Sequence, residues 1–347
     1  MTNMMKAAVL HAAKDLRVDD VPVPTPGPQE VLVKVRANGL CHTDLTYYEG
    51  QIPDPLKKYP LILGHEAAGT VEAVGAGAGT LAAGDAVLLP PVYGCGECPT
   101  CLGGDDNICP KSVMLGGTRD GAYAQYIVIP ERYAFKMSPD LDLTRACVAA
   151  DAVSTITFAL KERVNVHEGD AVVVFGAGGL GLAALAVAKA LGAAKTYAVD
   201  VRDSSLEQAA RLGATVYNAK EHQKIAKVLK KETGDGIRVA VDCVGMAATI
   251  KNAFGAVRRG GEVAVIGYTM EDVSFKAGAF MGLQKRIGGS WGCPTRLFPE
   301  VIALLEKGHI PLDILVSKIY PLDRIHDAFE ALHAGEIVGR AVVEIPS

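Results

Sequence analysis

The sequence predicts an α/β chain of two domains, one β-rich and one built on a doubly wound parallel sheet. Three observations carry this. From Asp170 onward, apolar strand-like runs alternate with helical patterns, the order expected of a parallel sheet wrapped by helices. The first of those runs ends in glycines spaced G-x-G-x-x-G, at Gly176, Gly178 and Gly181. The first 130 residues instead show short strands broken by Gly and Pro turns, which suggests a barrel-like β domain. At 347 residues the chain exceeds a single compact core, so two domains are the default.

The stretch 172–200 organises the second domain. Residues 172–175 read as a buried parallel strand. Gly176 permits a tight turn, Gly178 lets the backbone approach a pyrophosphate, and Gly181 lets helix and strand pack closely. The helix beginning around Gly179, Leu180 and Gly181 offers unpaired N–H groups and a partial positive charge to phosphates. A second strand, 195–199, ends at Asp200, nineteen residues past Gly181. A carboxylate there can accept both hydroxyls of an adenosine ribose and repel a 2′-phosphate. The expectation is dinucleotide binding, NAD before NADP, with Arg202 a cation two residues from that carboxylate.

In the β-rich part, strands are expected at 5–10, 31–37, 84–89 and 121–130, with a Pro-rich connector at 21–28. Residues 39–44, GLCHTD, read as a turn bearing reactive side chains, and 60–74 as a turn carrying His65 and Glu66 followed by a strand. A helical pattern over 143–161 leaves this domain. Further strands fall at 239–244 and 262–267, with helices at 182–191, 205–212, 221–232, 247–257, 299–306 and 324–333. A final strand at 338–345 is expected to rejoin the first domain. The boundaries are therefore 1–151, 152–295 and 296–347.

Composition excludes several classes. Apolar residues make up 49% and charged residues 21% of the chain, ordinary for a globular protein. A net charge of −4 with no dense Lys/Arg block argues against nucleic acid as a partner. The N-terminus is a poor secretory signal. The longest apolar stretch is taken to be the helix after the Gly-rich turn, too short and Gly-broken to span a bilayer. Eight cysteines without a secretion signal suggest metal ligands or reduced thiols, and a cytoplasmic protein.

Cys95, Cys98, Cys101 and Cys109 follow the pattern C-x2-C-x2-C-x7-C within a lobe at about 94–110. Four thiolates at such intervals can wrap one tetrahedral zinc, and an all-cysteine site with no open position is structural. Disulfides or an iron–sulfur cluster are the alternatives. A third, dispersed set comprises Cys41, His65, Glu66 and a possible ligand near residue 150, which spacing alone cannot join.

Taken together, GLCHTD, GHEAAGTVEAVG, the four-cysteine lobe, GAGGLG and the closing VGRAVVEI resemble the zinc-containing medium-chain alcohol dehydrogenases, in order and over nearly the whole chain. The resemblance implies a GroES-like catalytic domain split around a Rossmann domain, with NAD and two zinc ions per chain. It implies that Cys41 and His65 hold a catalytic zinc, that Glu66 can approach the metal, and that Asp44 orients His65. The third ligand, often cysteine, falls on Asp151, with Cys147 as a rival four residues earlier. Cys243 and Cys293 are read as structural.

The same resemblance implies a reversible hydride transfer between an uncharged primary or secondary alcohol and NAD, giving an aldehyde or ketone. Three protein ligands would leave a fourth zinc position for the substrate oxygen. Thr43 matches the hydroxyl that takes the alcohol proton, while Thr46 stands where many members carry a relay histidine. His42 and Arg340 match positions that meet the cofactor pyrophosphate. Tyr47, Tyr48, Leu115 and Trp291 are candidate pocket walls. A polyol or amino-alcohol dehydrogenase is the nearest rival, since those members commonly place Glu at the position of Asp151. A metal-free quinone-reductase or crystallin-like protein is the rival of another class. The family implies a homodimer or homotetramer, and no membrane partner is expected.

Overall fold

The computed structural model describes residues 3–52, 58–222 and 224–346, and the chain divides into two compact units. One comprises Met1–Ser154, Gly292–Lys307 and Val316–Ser347; the other comprises Thr155–Trp291 and Gly308–Leu315.

The first unit is built on a seven-stranded sheet in which Glu30–Leu40 is central. This strand pairs antiparallel with Glu66–Val74, with Tyr126–Pro130 and with the last strand, Arg340–Glu344. The terminal strand thus rejoins the β-rich unit, as its sequence suggests. Val31, Val33 and Val35 alternate inward and pack with Val71, Val87, Leu89, Ile127 and Ile129 into one apolar core. A separate three-stranded sheet joins Asp15–Pro22, Met4–Ala12 and Leu61–Ile62. The strand Asp15–Pro22 escapes the sequence reading because its charged residues hide the alternation.

Residues 39–44 are not a turn. Gly39 and Leu40 pair with Glu66 and Ala341 on the two flanking strands, so the ladder runs on through Leu40. Cys41 then caps a helix, His42–Tyr48, whose Asp44 carboxylate accepts from the Cys41 N–H at 2.9 Å. The expected helix over 143–161 is also broken. Leu143–Ala146 is α-helical, Cys147–Ala149 is a 3-10 turn, and Ala152–Phe158 resumes before a π-helical turn at Ala159–Arg163. Asp151 stands at the interruption. By length and composition Leu143–Arg163 is the one helical run among the described residues apolar enough to cross a membrane. This displaces the helix after the Gly-rich turn as the longest apolar run. Some 83% of its most apolar window is buried within the protein, as in the core helix of a globular fold.

The second unit is a six-stranded, wholly parallel sheet. Its order is Thr215–Asn218, Lys195–Asp200, Ala171–Phe175, Ile237–Asp242, Val257–Val265 and Arg286–Gly289. The chain enters at the third position, winds outward one way, then crosses back and winds the other, which is the doubly wound topology. The strand Thr215–Asn218 is a four-residue, half-buried piece without an apolar run, and the sequence does not reveal it. Gly308–Leu315 belongs to this unit, because Leu315 is buried and Leu312–Leu315 packs on the helix Gly179–Ala190. The return to the first unit is therefore not continuous over 296–347.

Candidate active site

Within the first unit, three separate stretches deliver Cys41, His65, Glu66 and Asp151 to one point. Their donor atoms all lie within 4.8 Å of one another. Cys41 comes from the cap of the helix His42–Tyr48, His65 and Glu66 from the start of Glu66–Val74, and Asp151 from the helix interruption. Asp151 Oδ2 lies 3.8 Å from Cys41 Sγ and 3.9 Å from His65 Nε2. Gly39, opposite Glu66 in the ladder, carries no side chain because a Cβ there would overlap the Glu66 carboxylate.

Asp44 fixes the imidazole. Its Oδ1 lies 3.1 Å from His65 Nδ1, while Oδ2 accepts from the Cys41 N–H and from the Tyr123 hydroxyl at 3.1 Å. With Nδ1 engaged as donor, Nε2 is the nitrogen presented to Cys41 and Asp151. Burial alone would push the Cys41 thiol up, but the Arg340 guanidinium and His65 outweigh it and hold the thiol below its ordinary value. That favours the thiolate a metal needs.

Glu66 is fully buried, and neither carboxylate oxygen has a hydrogen-bond partner. Burial drives its carboxyl well above the usual carboxylate range, against the pull of Arg340. The Arg340 guanidinium, with Nη2 3.0 Å from Oε1, offsets part of the cost of burying this carboxylate. One thiolate, one imidazole and two carboxylates converging on one buried point form a donor set that fits zinc.

The four cysteines of the lobe also converge. Cys95 and Cys101 Sγ are 3.9 Å apart, and Cys98–Cys109 and Cys95–Cys109 are each 3.7 Å apart. Four sulfurs each about 2.3 Å from a tetrahedral centre are separated by roughly 3.8 Å. The sulfurs are too far apart for disulfides, and a multi-iron cluster would spread its thiolates wider. Backbone N–H groups of Cys95, Cys101 and Lys111 point at sulfur, and the N–H of Cys101 draws the Cys98 thiol down to about 6.

In the second unit, Gly176 adopts φ +86°, open to glycine, and a Cβ on Gly181 would overlap the Gly176 carbonyl oxygen. At Gly178, by contrast, nothing lies nearer than 3.8 Å to where a Cβ would sit. The start of the helix Gly179–Ala190 is thus uncrowded at this glycine.

Comparison with known proteins agrees with this arrangement. The family description "Alcohol dehydrogenase GroES-like domain" matches residues 27–139, and "Zinc-binding dehydrogenase" matches residues 179–307. The alcohol dehydrogenase of Geobacillus stearothermophilus is 33% identical, over 98% of this chain and 100% of its own. The chain belongs to the medium-chain alcohol dehydrogenase family. The sorbitol dehydrogenase of Bacillus subtilis (strain 168) is 32% identical, over 94% of this chain and 93% of that protein. The solved alcohol dehydrogenase TADH from Thermus sp. ATN1 superposes with a TM-score of 0.92 at 32% identity, covering 99% of this chain and 100% of that one. This medium-chain dehydrogenase is thus an oxidoreductase acting on CH–OH groups.

Other expected residues in this dehydrogenase fall less neatly. Arg340 is 4% exposed, and its Nη2 stands 3.0 Å from Glu66 Oε1 and 3.5 Å from Asp151 Oδ2. It serves the buried carboxylates here rather than presenting a cation at the surface. His42 is exposed at the first turn of its helix. Cys147, the rival ligand, is buried and turns its thiol to the Thr144 carbonyl at 3.3 Å, outside the cluster.

The candidate pocket walls need correction. Leu115 is wholly buried and Tyr47 is 7% exposed, both within the first unit's apolar core, while Tyr48 is partly buried and packs against that core on Phe329, with ring centroids 5.3 Å apart. Leu115 offers a substrate no accessible face. Trp291 is half-exposed at the end of the second unit's main segment. Cys293 is buried and donates weakly to the Pro294 carbonyl, in keeping with a structural role. Tyr123 is a functional neighbour that sequence reasoning misses. Its hydroxyl reaches Asp44 and the Gly39 carbonyl only because the fold brings together residues 79 and 84 apart in the chain, and no local signal announces that.

Proposed function

We propose that this chain is an NAD-linked, zinc-dependent alcohol dehydrogenase. It would interconvert an uncharged primary or secondary alcohol with its aldehyde or ketone, and would hold one catalytic and one structural zinc. The observation that carries the reading is the convergence of Cys41, His65, Glu66 and Asp151 from three separate stretches onto one buried point. Cys41, His65 and Asp151 would hold the catalytic metal, with Glu66 in reach, and Cys95, Cys98, Cys101 and Cys109 the structural one. Gly176–Gly181 and Asp200 would hold the dinucleotide. Bound zinc supplies Lewis acidity to the substrate oxygen, and bound NAD supplies the hydride acceptor.

The chain's own groups do the rest. Cys41 and Asp151 bring two negative charges, and Asp44 keeps the His65 Nε2 lone pair aimed inward. Thr43, whose Oγ1 lies 3.7 Å from Cys41 Sγ, would accept the alcohol proton and pass it on. Thr46 does not extend that relay, because its hydroxyl donates to the His42 carbonyl at 3.0 Å. The sorbitol dehydrogenase relative favours a second reading, a polyol substrate for the same chemistry.

The deciding experiment measures NADH formation from NAD across matched primary, secondary, benzylic and polyhydroxy alcohols, in enzyme whose zinc content has been determined. Turnover of simple alcohols supports the first reading and a preference for polyols the second. No turnover of any of them by zinc-replete enzyme would overturn both.

A further inference from the structure

One ring in the first unit's core touches two supports of the Cys41 cluster. Phe329, on the terminal helix Ile325–His333, is 2% exposed. Its ring meets Tyr48, the last residue of the helix His42–Tyr48, at a centroid distance of 5.3 Å. It meets Tyr123 edge-on, with centroids 6.3 Å apart and planes at 68°. The two helices are tied a second time just past Tyr48, where Glu49 Oε1 lies 2.9 Å from His333 Nδ1. The terminal helix is thus fastened to the helix that carries Asp44.

The contact with Tyr123 bears most directly on the cluster. Tyr123 is wholly buried, and its hydroxyl lies 3.1 Å from both Asp44 Oδ2 and the Gly39 carbonyl oxygen. One hydroxyl reaches two such acceptors only while its ring is held at one angle. A small swing about the Cα–Cβ bond is magnified at the oxygen, the atom farthest along the side chain. Gly64, the residue before His65, bounds the ring at one place, since a Cβ there would fall 3.0 Å from Tyr123 Cδ2. Phe329 bounds it at another. In a close-packed interior those two contacts leave the ring little freedom.

We propose that Phe329 is a positioning residue for the Cys41 cluster, acting chiefly through Tyr123. Its ring aims the Tyr123 hydroxyl, the hydroxyl holds the Asp44 carboxylate, and Asp44 orients the His65 imidazole. The proposal rests on the metal reading given above and deepens it. Removing the ring leaves space into which Tyr123 relaxes, and the Asp44 carboxylate then loses its donor. A side chain that only filled the core would cost stability and leave metal affinity alone.

The test measures the zinc affinity of the Cys41 cluster in zinc-loaded enzyme by competition with a chromogenic chelator, with the cysteine lobe as internal reference. Phe329→Leu stays apolar but lacks the ring. It should weaken zinc at the Cys41 cluster roughly fivefold, less than the loss of a ligand's direct partner, and leave the lobe unchanged. Phe329→Met, which fills more of the volume, takes its place should the leucine variant not fold. Ile129→Val controls for lost packing, because Ile129 is wholly buried and pairs with Val31 at the opposite end of the strand Glu30–Leu40 from Cys41. Its Tm should fall while zinc affinity holds. Tyr123→Phe removes the hydroxyl itself, and adding Phe329→Leu to it should cost about twofold or less in further affinity. Affinity unmoved by the Phe329 variants, or lowered by the same factor with and without the Tyr123 hydroxyl, would overturn the proposal and leave the metal reading standing. So would an equal loss of affinity in Ile129→Val. A wild-type enzyme that binds no zinc at the Cys41 cluster would overturn the metal reading, and this proposal with it.

Discussion

Asp44 Oδ1 lies 3.1 Å from His65 Nδ1, and both side chains are buried. The same carboxylate caps the helix His42–Tyr48 through the Cys41 N–H, so one group orients two of the four clustered residues. Asp44→Asn keeps the shape but replaces a charged acceptor with a neutral one. Zinc affinity of the catalytic site, measured by competition with a chromogenic chelator, should fall about 10–100-fold. Asp44→Ala should also lower stability by about 2 kcal/mol or more, because it strands the Cys41 N–H and the His65 Nδ1. Unchanged zinc affinity in both variants would remove Asp44 from the site.

Asp151 and Cys147 are separated by geometry that their spacing hides. Asp151 Oδ2 faces Cys41 and His65, whereas the Cys147 thiol turns to its own helix. Asp151→Ala should therefore lose the catalytic zinc, leaving one zinc per chain. Cys147→Ala should keep both metals and lose only packing. Metal analysis of the two purified variants decides, and the opposite pattern would make Cys147 the ligand.

Much of this was legible in the sequence because the signals were local. The Gly-rich turn, the four-cysteine spacing and the alternation of strands with helices each sit in one continuous stretch. The dispersed cluster was legible only through its resemblance to a known family, since strand pairing brings Cys41 to His65 and the packing of a broken helix adds Asp151, none of which spacing shows. Leu115 and Tyr47 could not be assigned from sequence, because an apolar residue on a β-rich unit reads alike whether it lines a pocket or fills the core. Asp15–Pro22 and Thr215–Asn218 were invisible because their side chains are half-buried and polar enough to mask a period of two. The interruption at Asp151 was hidden because residues on either side keep helical propensity.

The cysteine lobe predicts a separable loss. Cys95→Ser removes one of four sulfurs spaced for a tetrahedral metal. Zinc content should fall by one per chain, and Tm by roughly 5 °C or more. The residues of the Cys41 cluster are untouched, so the second zinc should remain and substrate should still be recognised. Equal zinc content in variant and wild type would refute a metal role for the lobe.

Gly178 and Gly181 sit three residues apart yet should fail in different ways. A Cβ at Gly181 overlaps the Gly176 carbonyl oxygen, so Gly181→Ala should cost about 3 kcal/mol or more of stability. A Cβ at Gly178 meets nothing closer than 3.8 Å, so Gly178→Ala should stay within about 1 kcal/mol of wild type. It should nonetheless weaken NADH binding at least about tenfold, because the added methyl occupies the space left for phosphate. Thermal melts and NADH titration of both variants distinguish a structural glycine from a ligand-facing one.

Lys285 gives a pH dependence unconnected with the metal site. It is 6% exposed, donates to the Phe254 carbonyl at 2.8 Å and lies 5.1 Å from the Phe254 ring centroid. Burial, helped by nearby Lys230, lowers the ammonium from 10.5 to about 8. The unfolded chain therefore binds the proton more tightly than the folded one. Between about pH 8 and 10.5 the unfolded state holds more protons, so this group's contribution to stability rises with pH across that window. Below about pH 8 the penalty of the buried charge is fully present. Lys285→Met abolishes the titration, so the wild-type Tm minus the variant Tm should climb as pH rises from 7.5 to 10, on the order of a few degrees. A difference that stays flat over that range, or falls, would show that Lys285 keeps its proton in the folded protein as readily as in the unfolded one.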